Sequence, residues 1–206
     1  MVSLKQVGLV VCILALGCST YSPPRTVPAG QLRHGVILNY LMPSYTSRLG
    51  VTERVDVGLQ VPYPLGLNVK ANPIRGKFDL AVNPGYQYFI GFHHTCTASA
   101  PPSCAGPPGM HAFRLPVQWG VNHDQQLSLI GELGPVLVDA TDGEPGLLYQ
   151  AAIGGITRGR RVDVAPLFQV LFDPTHRLPD AYANGWTWMA IFGASITWSI
   201  GSKREY

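Results

Sequence analysis

The chain carries few charged residues for its length. Asp, Glu, Lys and Arg make up 13% of the 206 residues, and the formal net charge is only +3, whereas about a quarter of the residues in a typical soluble domain are charged. So weak a basic balance does not favour nucleic-acid binding, and no nucleic-acid partner is expected. The composition predicts one domain with much of its surface turned away from water.

A helical repeat of apolar residues is also missing from the chain after its N-terminal region. The stretch "WTWMAIFGASITWSI", residues 186–200, contains no charge and could suggest a membrane helix. Its bulky residues instead occupy every second position, from Trp188 through Phe192 and Ile196 to Trp198. A period of two is typical of a β-strand. At about 3.3 Å per residue and a tilt of about 40°, the stretch would rise roughly 25 Å, the height of the apolar band of a membrane barrel.

The same alternation recurs along the chain, for example in "FDLAVNPGYQYFI" and "FRLPVQWGVN". We predict ten strands, an even number as bacterial barrels require. They span residues 31–42, 44–51, 54–61, 65–73, 77–91, 112–122, 126–138, 147–157, 161–172 and 185–201. Short turns alternate with generally longer loops, as in outer-membrane barrels. The predicted fold is therefore all-β: a transmembrane, antiparallel, up-and-down β-barrel with both termini on the periplasmic side.

Four prolines stand inside these strands, at Pro84, Pro116, Pro135 and Pro166. Proline removes a backbone donor from the ladder, so bulges are expected at these positions. The competing fold is a lipid-anchored periplasmic β-sandwich or lipocalin-like barrel, whose apolar residues would point inward.

With this pattern the chain resembles small bacterial outer-membrane β-barrel proteins of uncharacterised function, and "RLGVTERVDVGL" is similar to hairpins of that class. The resemblance covers roughly residues 30–202 and implies an outer-membrane location, contact with outer-membrane lipids and assembly by the barrel-assembly machinery. It carries over no catalytic residue and no cofactor.

The N-terminus has the pattern of a signal peptide over residues 1–17, with one lysine and then an apolar run too short to span a membrane. Its end, "ALGC", resembles the lipobox of bacterial lipoproteins, which implies lipidation of Cys18 and handling by the lipoprotein-sorting machinery. Residues 18–30 are predicted to form a Pro-rich tether, residues 31–202 the barrel and residues 203–206 a C-terminal tail.

Aromatic residues near strand ends predict two interfacial girdles, an outer one and a periplasmic one. The predicted girdle residues are Tyr40, Tyr45, Tyr63, Tyr88, Trp119, Trp188 and Trp198, with Trp119 and Trp198 at the periplasmic ends.

The opposite face of the strands places charges in the lumen. The predicted lumen charges are Arg33, Arg48, Asp56, Lys70, Asp79, Arg114, Glu132 and Asp163. Their signs balance, which favours a hydrogen-bonded, filled lumen over a selective pore.

The long loop over residues 92–111 contains Cys96 and Cys104, for which a disulfide is expected outside the cytoplasm. His93, His94 and His111 are suitable metal ligands in the same loop, but their spacing fits no compact zinc motif, so no metal site is predicted.

The sequence indicates the function of the protein less specifically than its fold. The preferred hypothesis is a structural or surface-interaction barrel whose outer loops meet an unknown extracellular ligand. The alternatives are a narrow channel for small solutes, a lipid-modifying enzyme at the barrel rim, and a soluble ligand-binding barrel. The enzyme hypothesis has only scattered candidates, such as Ser44 and His176 near Asp173, without an ordered motif.

Overall fold

The computed structural model describes residues 22–39, 43–61, 65–90, 109–123, 127–140, 145–159, 162–174 and 188–200. These residues form one closed, antiparallel barrel of ten strands. Its elements are β1 (Leu32–Asn39), β2 (Ser44–Thr52), β3 (Val55–Val61), β4 (Leu65–Ile74), β5 (Phe78–Val82), β6 (Gly85–Ile90), β7 (Gly109–Arg114), β8 (Val117–Asn122), β9 (Leu127–Ala140), β10 (Gly146–Arg158), β11 (Val162–Phe172) and β12 (Trp188–Ile200). The predicted β-barrel is thus confirmed.

Each strand pairs with its neighbours along the chain, and the barrel closes where β12 pairs with β1, with Trp198 opposite His34. Two of the ten strands are each interrupted by a proline. Pro84 separates β5 from β6, and Pro116 separates β7 from β8. The two interruptions lie side by side, because Val82 pairs with Val117 while Gly85 pairs with Arg114.

The bulges expected at Pro84, Pro116, Pro135 and Pro166 are absent, although Pro73 stands within a ladder irregularity of β4. The register between the interrupted strands is the same on both sides of the gap, and the Asn83 N–H donates to Pro116 O at 3.0 Å across it. Pro135 pairs with Tyr149, also without a change of register. The ladder irregularities lie instead between Gly50 and Thr52 and between Ala71 and Ile74. A proline can thus be accommodated where neighbouring carbonyls still receive donors from other residues.

The two faces of the barrel wall differ in chemistry. Outward side chains are mostly Leu, Val, Ile and Phe, and many are strongly exposed, such as Leu133 at 59% and Phe192 at 67%. Among the outward strand residues whose exposure is described, none is Asp, Glu, Lys or Arg. Inward side chains include most of the buried polar and charged residues. The alternation within each strand produces this division, because successive side chains point to opposite faces.

The connections differ at the two ends of the barrel. Residues 53–54, 75–77, 123–126 and 159–161 join strands at one end, here called the turn end. Residues 40–43, 62–64, 91–108, 141–145 and 173–187 join strands at the other, here called the loop end. Within the described residues, no helix is long and apolar enough to cross a membrane.

Residues 22–31, here called the strap, lie at the turn end and precede β1. They do not lead away from the barrel as the predicted tether would, because Val27 is 1% exposed and its N–H donates to inward-facing Asp56. Gly30 has φ of 72°, a conformation that favours glycine. The chain turns there, and Gly30 N–H donates to Gly50 O at 2.9 Å before β1 begins.

Candidate functional site

The middle of the lumen contains a buried network of charged and amide side chains. Arg114 of β7 donates to Glu132 of β9 at 2.9 Å and to Gln150 of β10 at 2.7 Å. Gln118 of β8 donates to the second oxygen of the same carboxylate at 2.6 Å. The side chains of Arg114 and Glu132 are only 2% and 6% exposed. Each charge is therefore neutralised inside the barrel, with hydrogen bonds to more than one strand.

A second network joins the neighbouring strands. Arg48 of β2 forms an ion pair with Asp56 of β3 and donates to Asn68 Oδ1 of β4 at 2.6 Å. Gly58 makes room for this arrangement, because a Cβ there would lie 2.8 Å from the Arg48 guanidinium and 2.6 Å from Asn68 Oδ1. The absence of a side chain at Gly58 therefore leaves space for the Arg48 guanidinium beside Asn68.

Polar side chains also connect across the turn end. Arg158 donates to Ser128 Oγ at 2.6 Å, and Ser128 donates to Asn122 Oδ1 at 2.5 Å. Asn122 in turn donates to Asp79 at 2.9 Å, and Asp79 accepts from Arg25 of the strap. This chain of contacts crosses the rim from β10 to the strap.

The structure places all eight predicted lumen charges on the inner face. Four of them, Arg48 with Asp56 and Arg114 with Glu132, form the two ion pairs above. Asp79 and Lys70 contact the strap, whereas Asp163 is buried and Arg33 is half-buried, and each of these two has an interaction partner.

The lumen also contains a buried apolar cluster. Ile37 of β1, Ile130 of β9, Ile156 of β10 and Leu167 of β11 pack in one buried cluster with Ala152 and Ala165. β1 and β9 are separated by three strands on this side of the barrel, so the cluster reaches across the interior. The sequence sign of this cluster is its set of inward apolar residues, which break the polar-inward alternation.

The aromatic prediction needs correction at one place. Tyr45 and Trp198 were assigned to opposite girdles, yet both contact His34 on the outer face. Tyr45 hydrogen bonds to His34 Nδ1, and the Trp198 ring centre lies 6.3 Å from the His34 ring centre. The register explains this, because Val36 pairs with both Tyr45 and Ile196. Position along a strand is a poor measure of height when neighbouring strands are staggered in a tilted barrel.

Tyr88 lies near the loop end beside His111, with 4.9 Å between ring centres, and Tyr86 hydrogen bonds to His111 Nδ1 at 2.7 Å. Trp119 covers Gly131 on the outer face towards the turn end, where a Cβ on Gly131 would meet the indole at 2.1 Å. The side chain of Trp188 is outside the described residues, as are Tyr40 and Tyr63.

The candidate residues for other chemistry are mostly outside the described part of the chain, namely Cys18, His93, His94, Cys96, Cys104 and His176. The lipidation and disulfide therefore stay predictions. Ser44 is buried and accepts from Gln60 at 3.0 Å, so it is held as a wall residue. Among the described residues, no group of three metal-ligating side chains occurs.

Comparison with known proteins gives no relative from which a function could be transferred: no protein-family model and no curated protein matches the sequence.

Proposed function

We propose that the protein is an outer-membrane β-barrel that acts as a structural or surface-interaction protein through the connections at its loop end. The proposal includes a lipid on Cys18 and a periplasmic position for the turn end, both of which rest on the sequence patterns of the N-terminus and the connections. The buried hydrogen-bonded network that joins Arg114, Glu132, Gln118 and Gln150 is the observation that favours this function over transport.

The outer wall supports membrane insertion. Exposed outward residues such as Leu67, at 57%, and Leu133, at 59%, would be costly to leave in water around a whole circumference. The hydrocarbon core of a bilayer would shield such a surface from water, and a closed barrel leaves no strand edge unpaired in lipid. A soluble ligand-binding barrel would need the reverse arrangement, with its apolar residues inside.

The inner wall supports a closed barrel rather than a channel. Arg114 and Gln118 lie on the two segments of one interrupted strand, and Glu132 and Gln150 lie on the next two strands of the barrel. Their side chains form hydrogen bonds to one another in the interior. A buried apolar cluster from β1, β9, β10 and β11 packs in the interior beside this network, and the strap lies at the turn end. Ions or solutes would have to break these contacts to pass, and small barrels normally fill their interior with side chains.

Electrical recording tests this proposal against the channel alternative. Purified protein is reconstituted in planar bilayers, with an open general porin as the positive control. We expect no steps of conductance from the wild-type protein. Stable single-channel steps, scaling with protein concentration, would favour the narrow channel instead.

A further inference from the structure

The turn end of the lumen holds the strap as a bound peptide would be held. Thr26 and Val27 are each 1% exposed, and Pro23 and Pro24 are also buried. The strap backbone meets polar groups of the wall: Val27 N–H donates to Asp56 at 2.9 Å, and Ala29 N–H donates to the Glu53 carboxylate at 3.3 Å. Main-chain recognition of this kind is how proteins bind extended peptides.

Arg25 supplies a charged anchor. Its guanidinium donates to both carboxylate oxygens of Asp79, each at 3.2 Å, and to Gly76 O at 3.0 Å. Asp79 is 1% exposed, whereas the Arg25 side chain is 39% exposed. The wall thus presents a buried carboxylate to a guanidinium that approaches from the rim, with the two-pronged geometry that arginine favours.

Lys70 is the second anchor. It is 1% exposed, and its ammonium donates to Ser22 Oγ and to Pro23 O. Burying an ammonium group is costly unless hydrogen bonds replace its water. Here the strap provides those hydrogen bonds, so Lys70 and the strap stabilise each other.

Two inward glycines leave the space that the strap fills. A Cβ on Gly50 would lie 1.9 Å from Pro28 O and 2.5 Å from Val27 O, and a Cβ on Gly120 would lie 2.7 Å from Pro24 Cγ. Gly50 and Gly120 belong to β2 and β8, on different sides of the strap. The wall is therefore shaped for an occupant at this height.

We infer that the turn end of the lumen is a recognition site for an extended, proline-rich peptide bearing an arginine, and that the strap is its occupant and acts as a plug. In this site Asp56 and Glu53 accept hydrogen bonds from backbone N–H groups of the peptide. Lys70 donates to a backbone carbonyl, and Asp79 binds the guanidinium. This rests on the closed lumen of the proposed function but adds which segment closes the turn end.

The acetylation of lysines tests the plug in the full-length protein. Folded protein in mild detergent is treated with a water-soluble acetylating ester, and modification of each lysine is followed by mass spectrometry. Exposed Lys77, at the turn end, is the internal reference. We expect Lys70 to be protected in the wild type and to react faster by about tenfold or more in Gly50→Val and Gly120→Val, because local opening governs access to buried groups.

The matched control is Gly155→Ala, whose added Cβ has its nearest neighbour at 3.7 Å, outside the strap; it should leave Lys70 protected. If a valine variant fails to fold, Arg25→Gln takes its place. This variant removes the guanidinium without adding bulk and should also raise Lys70 reactivity. The plug would be wrong if Lys70 reacted as fast as Lys77 in the wild type. It would also be wrong if Lys70 stayed protected in folded Gly50→Val and Gly120→Val proteins. Heat-dependent gel mobility, measured on the same samples, reports separately on the barrel.

Discussion

Loss of Arg114 should destabilise the barrel, because its guanidinium is the ion-pair partner of a buried carboxylate. Changing Arg114→Met leaves the Glu132 carboxylate buried without its cation, and breaking a buried ion pair from one side typically costs about 3–5 kcal/mol. We expect a loss of that size in the free energy of unfolding, measured by urea titration of tryptophan fluorescence in detergent micelles.

Arg54→Met is the matched control, because Arg54 is exposed in the turn between β2 and β3. It should change the free energy of unfolding by no more than about 0.5 kcal/mol. Equal losses for the two variants would contradict the buried network. A double-mutant cycle with Glu132→Gln should give a coupling of about 0.5–3 kcal/mol for residues in direct contact.

At the residue scale, alternation identified which side chains point inward, but not their partners. Arg48 pairs with Asp56, which lies diagonally on the next strand, and this pairing depends on the register between β2 and β3. Lys70 was predicted among the lumen charges, yet its contact with the strap was not. The only sequence signs of that contact are the inward glycines Gly50 and Gly120, which mark space without saying what fills it.

At the element scale, a substitution in the middle of β9 tests whether lipid or water surrounds the outer wall of the barrel. Leu133 is 59% exposed, near the centre of Leu127–Ala140. In a bilayer, Leu133→Arg places a charge near the midplane and should lower the free energy of unfolding by about 2–4 kcal/mol in lipid vesicles. The measurement is urea unfolding of the vesicle-bound protein.

Val51→Arg provides the comparison, because Val51 is also outward and exposed but lies one residue from the turn end of β2. A charge there is close to the interface and should cost only about 0–1 kcal/mol. If both arginines were tolerated equally well, the outer wall would be facing water, and the membrane proposal would be wrong.

The period-two pattern predicted the strands, because a strand with one apolar face and one polar face must alternate apolar and polar residues. The interruptions at Pro84 and Pro116 were foreseen as irregular, but the structure keeps the register there and places its bulges at Gly50–Thr52 and Ala71–Ile74. The strap differs most from expectation. Its composition is typical of a solvated linker, and only tertiary contacts, such as Arg25 with Asp79, bring it into the barrel.

At the scale of the whole molecule, the closed barrel accounts for both the apolar outer surface and the polar inner surface. Closing ten strands gives every strand two neighbours, so an apolar outer wall can meet lipid without an unpaired edge. Closure also confines the inward charges in a narrow interior, where Arg114 and Glu132 satisfy each other. An apolar outer wall and a hydrogen-bonded polar interior are therefore consequences of the same fold.

The most direct test of this account is the electrophoretic mobility of protein extracted from membranes, with and without boiling, alongside far-ultraviolet circular dichroism. A closed membrane barrel resists detergent at room temperature, so the unboiled protein should migrate differently from the boiled protein and show a β-type spectrum only before boiling. Protein that is released from membranes without detergent and migrates identically in both lanes would contradict the membrane barrel.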